Sequence, residues 1–254
     1  MSSPATQQKV DDFLNTDAIP LGPEFDCPYL PARKARFRSF LAGELEPEIY
    51  HALMDRRFRR SGNLLYQPNC PACNECRQLR VPVADFRQTK SQRRVWHRNC
   101  DIRAKVIKPQ LDEEKWRLYS RYLKHQHDGT MSDDYDDLHR FLFCSPVRSV
   151  EFDYYLDDRL IGVSIADQSR DVLSSVYMFF DPDYADRSLG TFSALWELDH
   201  CRRSSIQYYY FGFYIRDCTK MNYKARFGPH EILSSDNQWI RQDTTAGRPT
   251  SRGL

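Results

Sequence analysis

The chain has 254 residues, 41% of them hydrophobic and 13% aromatic, enough to bury one large core or two modest ones. Its densest apolar run, Tyr208–Ile215, falls far short of the ~18 residues that a membrane-spanning helix needs, and the polar opening Met1-Ser-Ser-Pro-Ala-Thr-Gln-Gln lacks the apolar centre of a secretory signal. The formal net charge of +2 hides an asymmetry, because residues 27–108 hold 18 Lys/Arg against 7 Asp/Glu, a balance that points to an anionic partner such as nucleic acid or an acidic peptide.

A cytoplasmic, monomeric protein without membrane contact is the expectation from these features. The first 20 residues are polar and read as loosely held. Residues 44–60 read as a helix: Pro47 suits its first turn, acidic residues open it, arginines close it, and Ile49, Tyr50, Leu53 and Met54 recur at helical spacing. Ser61-Gly62-Asn63 stops it. Short strands at Leu64–Tyr66 and Gln78–Val83 then flank Cys70-Pro-Ala-Cys73-Asn-Glu-Cys76. With Cys27 upstream, these thiols have ligand-like spacing in a chain of a reducing compartment. Cys27, Cys70, Cys73 and Cys76 are therefore candidate ligands for zinc or an iron–sulfur cluster, or else small buried apolar groups. The basic clusters Arg33-Lys34-x-Arg36-x-Arg38 and Arg56-Arg57-x-Arg59-Arg60 fall in the same region. Lys108-Pro109 marks the expected boundary between a basic recognition domain (1–108) and a second domain (109–254).

Asp112–His127 reads as a helix, with Asp112 as N-cap and Trp116, Tyr119, Tyr122 and Leu123 in one stripe. After a turn at Asp128-Gly129, a shorter helix falls at Tyr135–Phe143. Strands are expected at Val147–Leu156, Leu160–Ala166 and Val172–Phe180. A helix from Gly190 to Arg203, a strand Gln207–Ile215, a helix Cys218–Arg226 and a strand Glu231–Ser234 complete an α+β order around one mixed sheet. Arg187-Ser188-Leu189-Gly190 lies where a strand passes into a helix, a position that offers backbone N–H groups and the positive helix end to a phosphate. Coenzyme A-dependent acetyltransferases place a small residue shortly after such a glycine, where this chain has Phe192. In the strand Gln207–Ile215, alternation puts Tyr208, Tyr210, Gly212 and Tyr214 on one face, a wall that a ligand can approach closely. Lys220 and Lys224 share one helix face, able to hold an anion or to project into solvent.

Several of these segments together resemble the arginyl-tRNA–protein transferase family. They are Cys27-Pro-Tyr-Leu-Pro31, Leu65-Tyr-Gln-Pro68, Gln78-Leu-Arg80, the stretch Leu173–Pro182, Ser188-Leu-Gly190, Tyr210–Ile215 and Lys220-Met-Asn-Tyr-Lys224, spread over about residues 25–235 in the family's order. The triple-cysteine run and short length are most similar to the bacterial branch, the leucyl-tRNA–protein transferases. Eukaryotic members have paired and adjacent cysteines instead, so the resemblance carries no metal or cluster ligation onto this chain.

The resemblance implies an acetyltransferase-like (GNAT-like) fold. It also implies transfer of leucine from leucyl-tRNA to the N-terminal α-amine of proteins beginning with Asp or Glu, which creates an N-degron. The ester is already activated, so neither ATP nor a catalytic metal is required. What the reaction needs is an unprotonated amine, alignment, and donors for the tetrahedral oxyanion. On this pattern Asp167 orients or deprotonates the amine, and Tyr177, Tyr210 and Tyr214 donate hydroxyl groups. Tyr66, Arg80, Lys220 and Lys224 receive the acidic residue, and Arg187, Ser188, Leu189 and Gly190 meet the tRNA 3′ end. Arginyl transfer, coenzyme A-dependent acetyl transfer and a non-enzymatic RNA- or zinc-binding module are the alternatives.

Overall fold

In a computed structural model that describes residues 3–16, 19–126 and 131–243, eight strands form one mixed sheet with helices on both faces. The chain begins with α1 (Pro4–Leu14), the short pair β1 (Phe25–Asp26) and β2 (Lys34–Ala35), β3 (Phe37–Leu41) and α2 (Pro47–Met54). It continues through β4 (Arg59–Ser61), β5 (Leu64–Pro68), β6 (Arg77–Pro82), α3 (Lys90–Arg98), β7 (Ile102–Ile107) and α4 (Glu113–Gln126). Next come α5 (Tyr135–Leu138) with a π-helical turn over His139–Phe143, then β8 (Ser149–Leu156), β9 (Arg159–Gln168) and β10 (Val172–Phe180). A 3-10 stretch (Pro182–Arg187), α6 (Leu189–Arg203), β11 (Tyr208–Tyr214), α7 (Thr219–Asn222) with a 3-10 turn, β12 (His230–Leu233) and β13 (Trp239–Gln242) complete it.

The sheet order is β13-β12-β6-β11-β10-β9-β8-β7, and every neighbouring pair is antiparallel except β10 with β11. A parallel pair requires a crossover, which α6 supplies. Antiparallel β8–β10 followed by a helix and one parallel strand gives the expected α+β order around one mixed sheet. β3, β5 and β4 form a separate three-stranded sheet. α3 and α6 cover one face of the large sheet, over a core that includes Phe152, Tyr154, Leu195, Leu198, Tyr209 and Phe211. α4 covers the other through Leu118, Tyr119, Val163, Ile165 and Phe179, joined by Tyr50, Leu53, Leu65 and Val172 from around α2. Among the described residues, no helix is long and apolar enough to cross a membrane.

The sheet overrides the boundary expected at residue 108. β6 lies between β12 and β11, and β7 closes the opposite edge, so residues 77–107 are structural members of the same sheet as the later strands. The expected helix over 44–60 is also shortened, ending at Met54, after which Arg57 takes a φ of 65° and residues 59–61 form a strand. That change delivers Arg59 and Arg60 to the large sheet. α1, α3 and β7 have no counterpart among the expected elements. α3 starts with a capping box, in which the Gln92 N–H donates to Thr89 Oγ1 at 3.2 Å and the Thr89 N–H donates to Gln92 Oε1 at 2.8 Å. His127 and the turn expected at Asp128-Gly129 lie outside the described residues.

One buried ion pair joins the three-stranded sheet to the large one. Arg60 Nε lies 2.8 Å from Asp167 Oδ2 and Nη2 lies 2.8 Å from Oδ1, with both side chains at most 1% exposed. The Tyr50 and Ser149 hydroxyls each donate to the same carboxylate at 2.7 Å. Removing one partner strands the other charge in the interior, which costs about 3–5 kcal/mol. We expect Asp167→Ala to lower the denaturant midpoint accordingly, and the double variant Arg60→Met/Asp167→Leu to recover most of the loss. A double variant as unstable as the single one would refute the pairing.

Candidate active site

β10 and β11 pair only across Val172–Ser174 and Tyr208–Tyr210. The register of β10 against β9 then shifts between Ser175 and Tyr177, and that of β11 against β6 shifts between Tyr210 and Gly212. A bulge on each strand bends it and increases its twist, so the two part like a fork. Arg59 occupies the fork, donating from Nη1 to Ser174 Oγ at 2.6 Å and from Nη2 to the Ser175 carbonyl oxygen. Gly212, at φ 76°, makes this possible, because a Cβ there would lie 3.1 Å from Arg59 Cζ. From this fork opens a cavity of about 760 Å³.

Two buried charges face into it. Glu197, on α6, is 1% exposed; its Oε1 accepts from the Ser164 and Ser193 hydroxyls at 2.7 Å each and its Oε2 from Tyr209 at 2.8 Å. Burial raises its pKa, against the opposing pull of the three hydrogen bonds. Lys224 donates from Nζ to the Phe213 carbonyl oxygen at 2.5 Å. Burial first, and then the charge of Arg59, bring its ammonium pKa down to about 7. Among the described residues, Glu197 has no cationic partner and Lys224 no carboxylate partner. The remaining wall mixes Tyr29, Tyr66, Tyr122, Tyr177 and Lys220 with Phe37, Leu64, Met131, Phe141, Val176 and Phe213.

Of the residues singled out in the sequence, the structure brings Tyr66, Tyr177, Gly190, Lys220 and Lys224 to this cavity. The others lie elsewhere. Asp167 is consumed by Arg60, Tyr50 and Ser149 and is not free to accept a proton from an amine. Tyr210 is buried away from the cavity, donating to Asp55 Oδ1 at 2.7 Å and accepting from Arg80 at 3.0 Å. Arg80 pairs with Glu231 at 2.6 Å, its guanidinium 4.0 Å from the ring centres of both Tyr208 and Trp239. Tyr214 packs against the main core. Alternation put Gly212 on the ligand-facing side of this strand together with Tyr208, Tyr210 and Tyr214; Gly212 does line the cavity, but its companions there are the opposite set, Tyr209, Phe211 and Phe213.

The loop before α6 is likewise rearranged relative to expectation. Arg187 is held by Asp101 through bonds of 2.9 and 3.1 Å, so its charge is already spent, and Leu189 is buried. Ser188 takes a left-handed φ of 58°. Phe192 points into the core against Trp96 and Tyr154 and does not crowd the loop. Glu197 and Arg59 are the site residues that sequence reasoning missed. The signal for Glu197 was present in Phe192-Ser-Ala-Leu-Trp-Glu-Leu198, where a carboxylate and a serine four residues apart share the buried side of a helix.

The four thiols gather behind the cavity wall. Cys27, Cys73 and Cys76 pack with Tyr29, Leu30, Ile215 and Cys218. Burial pushes the Cys76 thiol up to about 12, with further contributions from Cys70, Cys27 and Cys73. The Leu30 N–H points at Cys27 Sγ, the Arg33 guanidinium at Cys73 Sγ, and the Cys70 thiol at the Arg36 carbonyl. Among the described residues, no group of three or more His, Cys, Asp or Glu side chains is arranged to hold a metal ion.

Residues 25–94 match the family described as arginine-tRNA-protein transferase, N terminus, and residues 114–234 match its C-terminal counterpart. The chain belongs to the arginine-tRNA-protein transferase family. Among relatives of the transferase, the aspartate/glutamate leucyltransferase of Hahella chejuensis is 36% identical over 222 residues, covering 86% of this chain and 94% of that protein. The aspartate/glutamate leucyltransferase of Alkalilimnicola ehrlichii is 37% identical over 225 residues, covering 85% and 92%. Among solved structures, L-PGS from Bacillus licheniformis is similar at a TM-score of 0.45 and 10% identity, over 70% of this chain and 52% of that one, so this transferase spans about half its length.

Gly212→Ala tests the fork directly. The substitution forces a positive φ on an alanine and pushes a methyl group against the Arg59 guanidinium. We expect a loss of about 1–3 kcal/mol in chemical denaturation. Gly43→Ala, at a glycine with open space around it, is expected to change stability by less than about 0.5 kcal/mol.

Proposed function

We propose that this chain transfers leucine from leucyl-tRNA to the α-amine of proteins that begin with Asp or Glu, marking them for degradation. The observation that carries the reading is one cavity holding a buried carboxylate and a buried amine, each without an opposite charge among the described residues. An N-terminal aspartate or glutamate presents the complementary pair, an α-ammonium and a side-chain carboxylate. Glu197 takes the first and Lys224, assisted by Lys220, the second. The family membership and the names of the relatives support the same reaction.

In the proposed step, Glu197 accepts a proton from the α-ammonium; burial raises its pKa and so makes it a stronger base than an exposed carboxylate. The free amine attacks the carbonyl carbon of the leucyl ester. An amide bond forms, the C–O bond to the terminal ribose breaks, the proton that Glu197 took passes to the departing ribose oxygen, and the second proton shed by the nitrogen is released to solvent. Tyr66 and Tyr177 are the cavity hydroxyls suited to the developing oxyanion. The bond broken is an activated ester, so the transfer is written without ATP, metal or redox cofactor, and the four thiols are read as packing groups. Leucine suits the wall of Phe37, Leu64, Met131, Phe141 and Val176, whereas an arginyl side chain would meet Arg59, Arg60, Lys220 and Lys224 with Glu197 as the one lining carboxylate among the described residues.

The direct test is transfer from labelled leucyl- and arginyl-tRNA to peptides beginning with Asp, Glu, Arg or Lys. Leucine on Asp and Glu peptides alone is the expected result; arginine transfer, or leucine on Lys peptides, would overturn the specificity. Glu197→Gln should lower kcat by about 100-fold, the low end for loss of a general base. The pH dependence has a defined sign. Lys224 binds a carboxylate in its charged form, which prevails below about pH 7, while the amine attacks when deprotonated, towards pH 8 and above. Hence kcat/KM for an Asp peptide should peak between these values, and Lys224→Met should abolish the alkaline fall together with the preference for acidic acceptors.

A further inference from the structure

The fold divides the basic block of the sequence into two populations. Most of its earlier cations are turned inward or already engaged: Arg60 with Asp167, Arg56 with Asp11 at 2.7 Å, Lys34 with Asp26 at 2.7 Å, Arg80 with Glu231 at 2.6 Å, and Arg59 in the fork. α3 is different. Residues 86–100 include Arg87, Lys90, Arg93, Arg94, His97 and Arg98, and no acidic residue. Lys90, Arg93, Arg94, His97 and Arg98 are all exposed, while Gln92, Val95, Trp96 and Asn99 lie on the covered side. Arg93 donates to the Gln88 carbonyl at 2.8 Å and Arg98 to the Asp186 carbonyl, and among the described residues none of the five pairs with a carboxylate. The acids that bracket the helix are taken: Asp85 by Arg241 at 2.6 Å, and Asp101 by Arg187 at 2.9 Å.

The placement of this face relative to the cavity is defined by hydrogen bonds. At the C-terminal end of α3, Asn99 Nδ2 donates to the Arg187 carbonyl at 2.9 Å, and Arg187 Nη1 donates back to the Arg98 carbonyl at 3.4 Å. Three residues after Arg187, Gly190 lines the cavity, with open space where its Cβ would be. A chain leaving the cavity over Gly190 therefore meets Arg98 first and then Arg94 and Lys90, which recur every four residues, about 6 Å apart along the helix axis.

Resting on the aminoacyl-tRNA reading above, we propose that α3 is the seat of the donor tRNA's acceptor stem. Its exposed cations contact the stem phosphates, and the single-stranded 3′ end crosses the Arg187–Gly190 loop into the cavity. Phosphate contacts position a nucleic acid without reading its sequence. That suits the exposed face, on which the long side chains are lysine, arginine and histidine.

The test uses the full chain with Lys90→Gln, Arg93→Gln and Arg94→Gln combined. Two donors are compared on an Asp peptide: leucyl-tRNA, and a leucyl-CCA trinucleotide that carries the same ester without a stem. KM for leucyl-tRNA should rise about tenfold or more, and the slope of log kcat/KM against log salt should flatten by about 0.7–0.9 for each phosphate no longer neutralised. Transfer from leucyl-CCA should stay unchanged, which also shows that the variant is folded. An unaltered KM and salt slope for leucyl-tRNA would overturn the proposal. So would a rise in the KM of the peptide alone, because it would assign the face to acidic protein. Filter binding of deacylated tRNA separates the seat from the reaction. Weaker binding by the triple variant upholds the seat even where the wild type transfers no leucine, and equal binding refutes it.

Discussion

The site depends on one guanidinium placed where two parallel strands part. Arg59 bonds to Ser174 and Ser175 on β10 and lies against the bare backbone of Gly212 on β11. Parallel strands that continued to pair past Tyr210 would leave no space between them. With bulges on both strands the sheet opens, and Arg59 satisfies backbone and hydroxyl groups that the interrupted ladder leaves without partners. The arginine comes from β4 in the smaller sheet, so that sheet is part of the active-site wall. This is why Arg60, the next residue, is anchored so firmly to Asp167. A cavity wall built from a neighbouring element is only as well placed as its attachment.

The chemistry of the cavity follows from keeping two charges apart. Glu197 and Lys224 line one space without pairing, so each bears the cost of burial with neutral partners only: hydroxyl groups for the carboxylate, a carbonyl for the amine. Burial disfavours both charged forms, lowering the ammonium pKa and raising that of the carboxylate. A ligand carrying both complementary charges relieves both penalties at once. One carrying a single charge relieves one and leaves the other. On the proposed function, discrimination between an acidic N-terminus and a neutral one would rest on whether a buried group is left unpaired, the kind of difference that polar sites enforce most strongly.

Sequence patterning revealed the central meander, α6, β11 and the α+β order, because those elements have the apolar periodicity of a two-sided sheet. It failed where periodicity cannot say which face meets a ligand. On β11 the cavity is lined by Tyr209, Phe211 and Phe213, while Tyr210 and Tyr214 pack into the hydrophobic cores. Asp167 illustrates a different limit: a carboxylate at a strand end looks the same in sequence whether it meets substrate or a buried arginine 107 positions upstream. Lys220 and Lys224 were legible because they are cations beside a ligand-facing strand. Glu197 was overlooked because an apolar helix masks a single buried acid. α3 was overlooked because its apolar stripe, Val95 and Trp96, is too short to show helical period against so many cations.

The cations themselves show what composition does and does not determine. Arg56, Arg57, Arg59 and Arg60 form the densest basic cluster in the chain, yet Arg59 and Arg60 are buried and Arg56 is paired, so this cluster contributes little field outside the protein. Residues 87–98 look less concentrated in sequence but project their charge from one helix face. The surface field depends on which cations remain unneutralised, and here that is decided by topology. β4 carries Arg59 and Arg60 onto the large sheet, whereas α3 packs against α6 with its cations exposed. The loop from Arg187 to Gly190 joins that surface to the cavity, so on the proposed reading an anion as long as a tRNA end would engage external and internal charge along one continuous path.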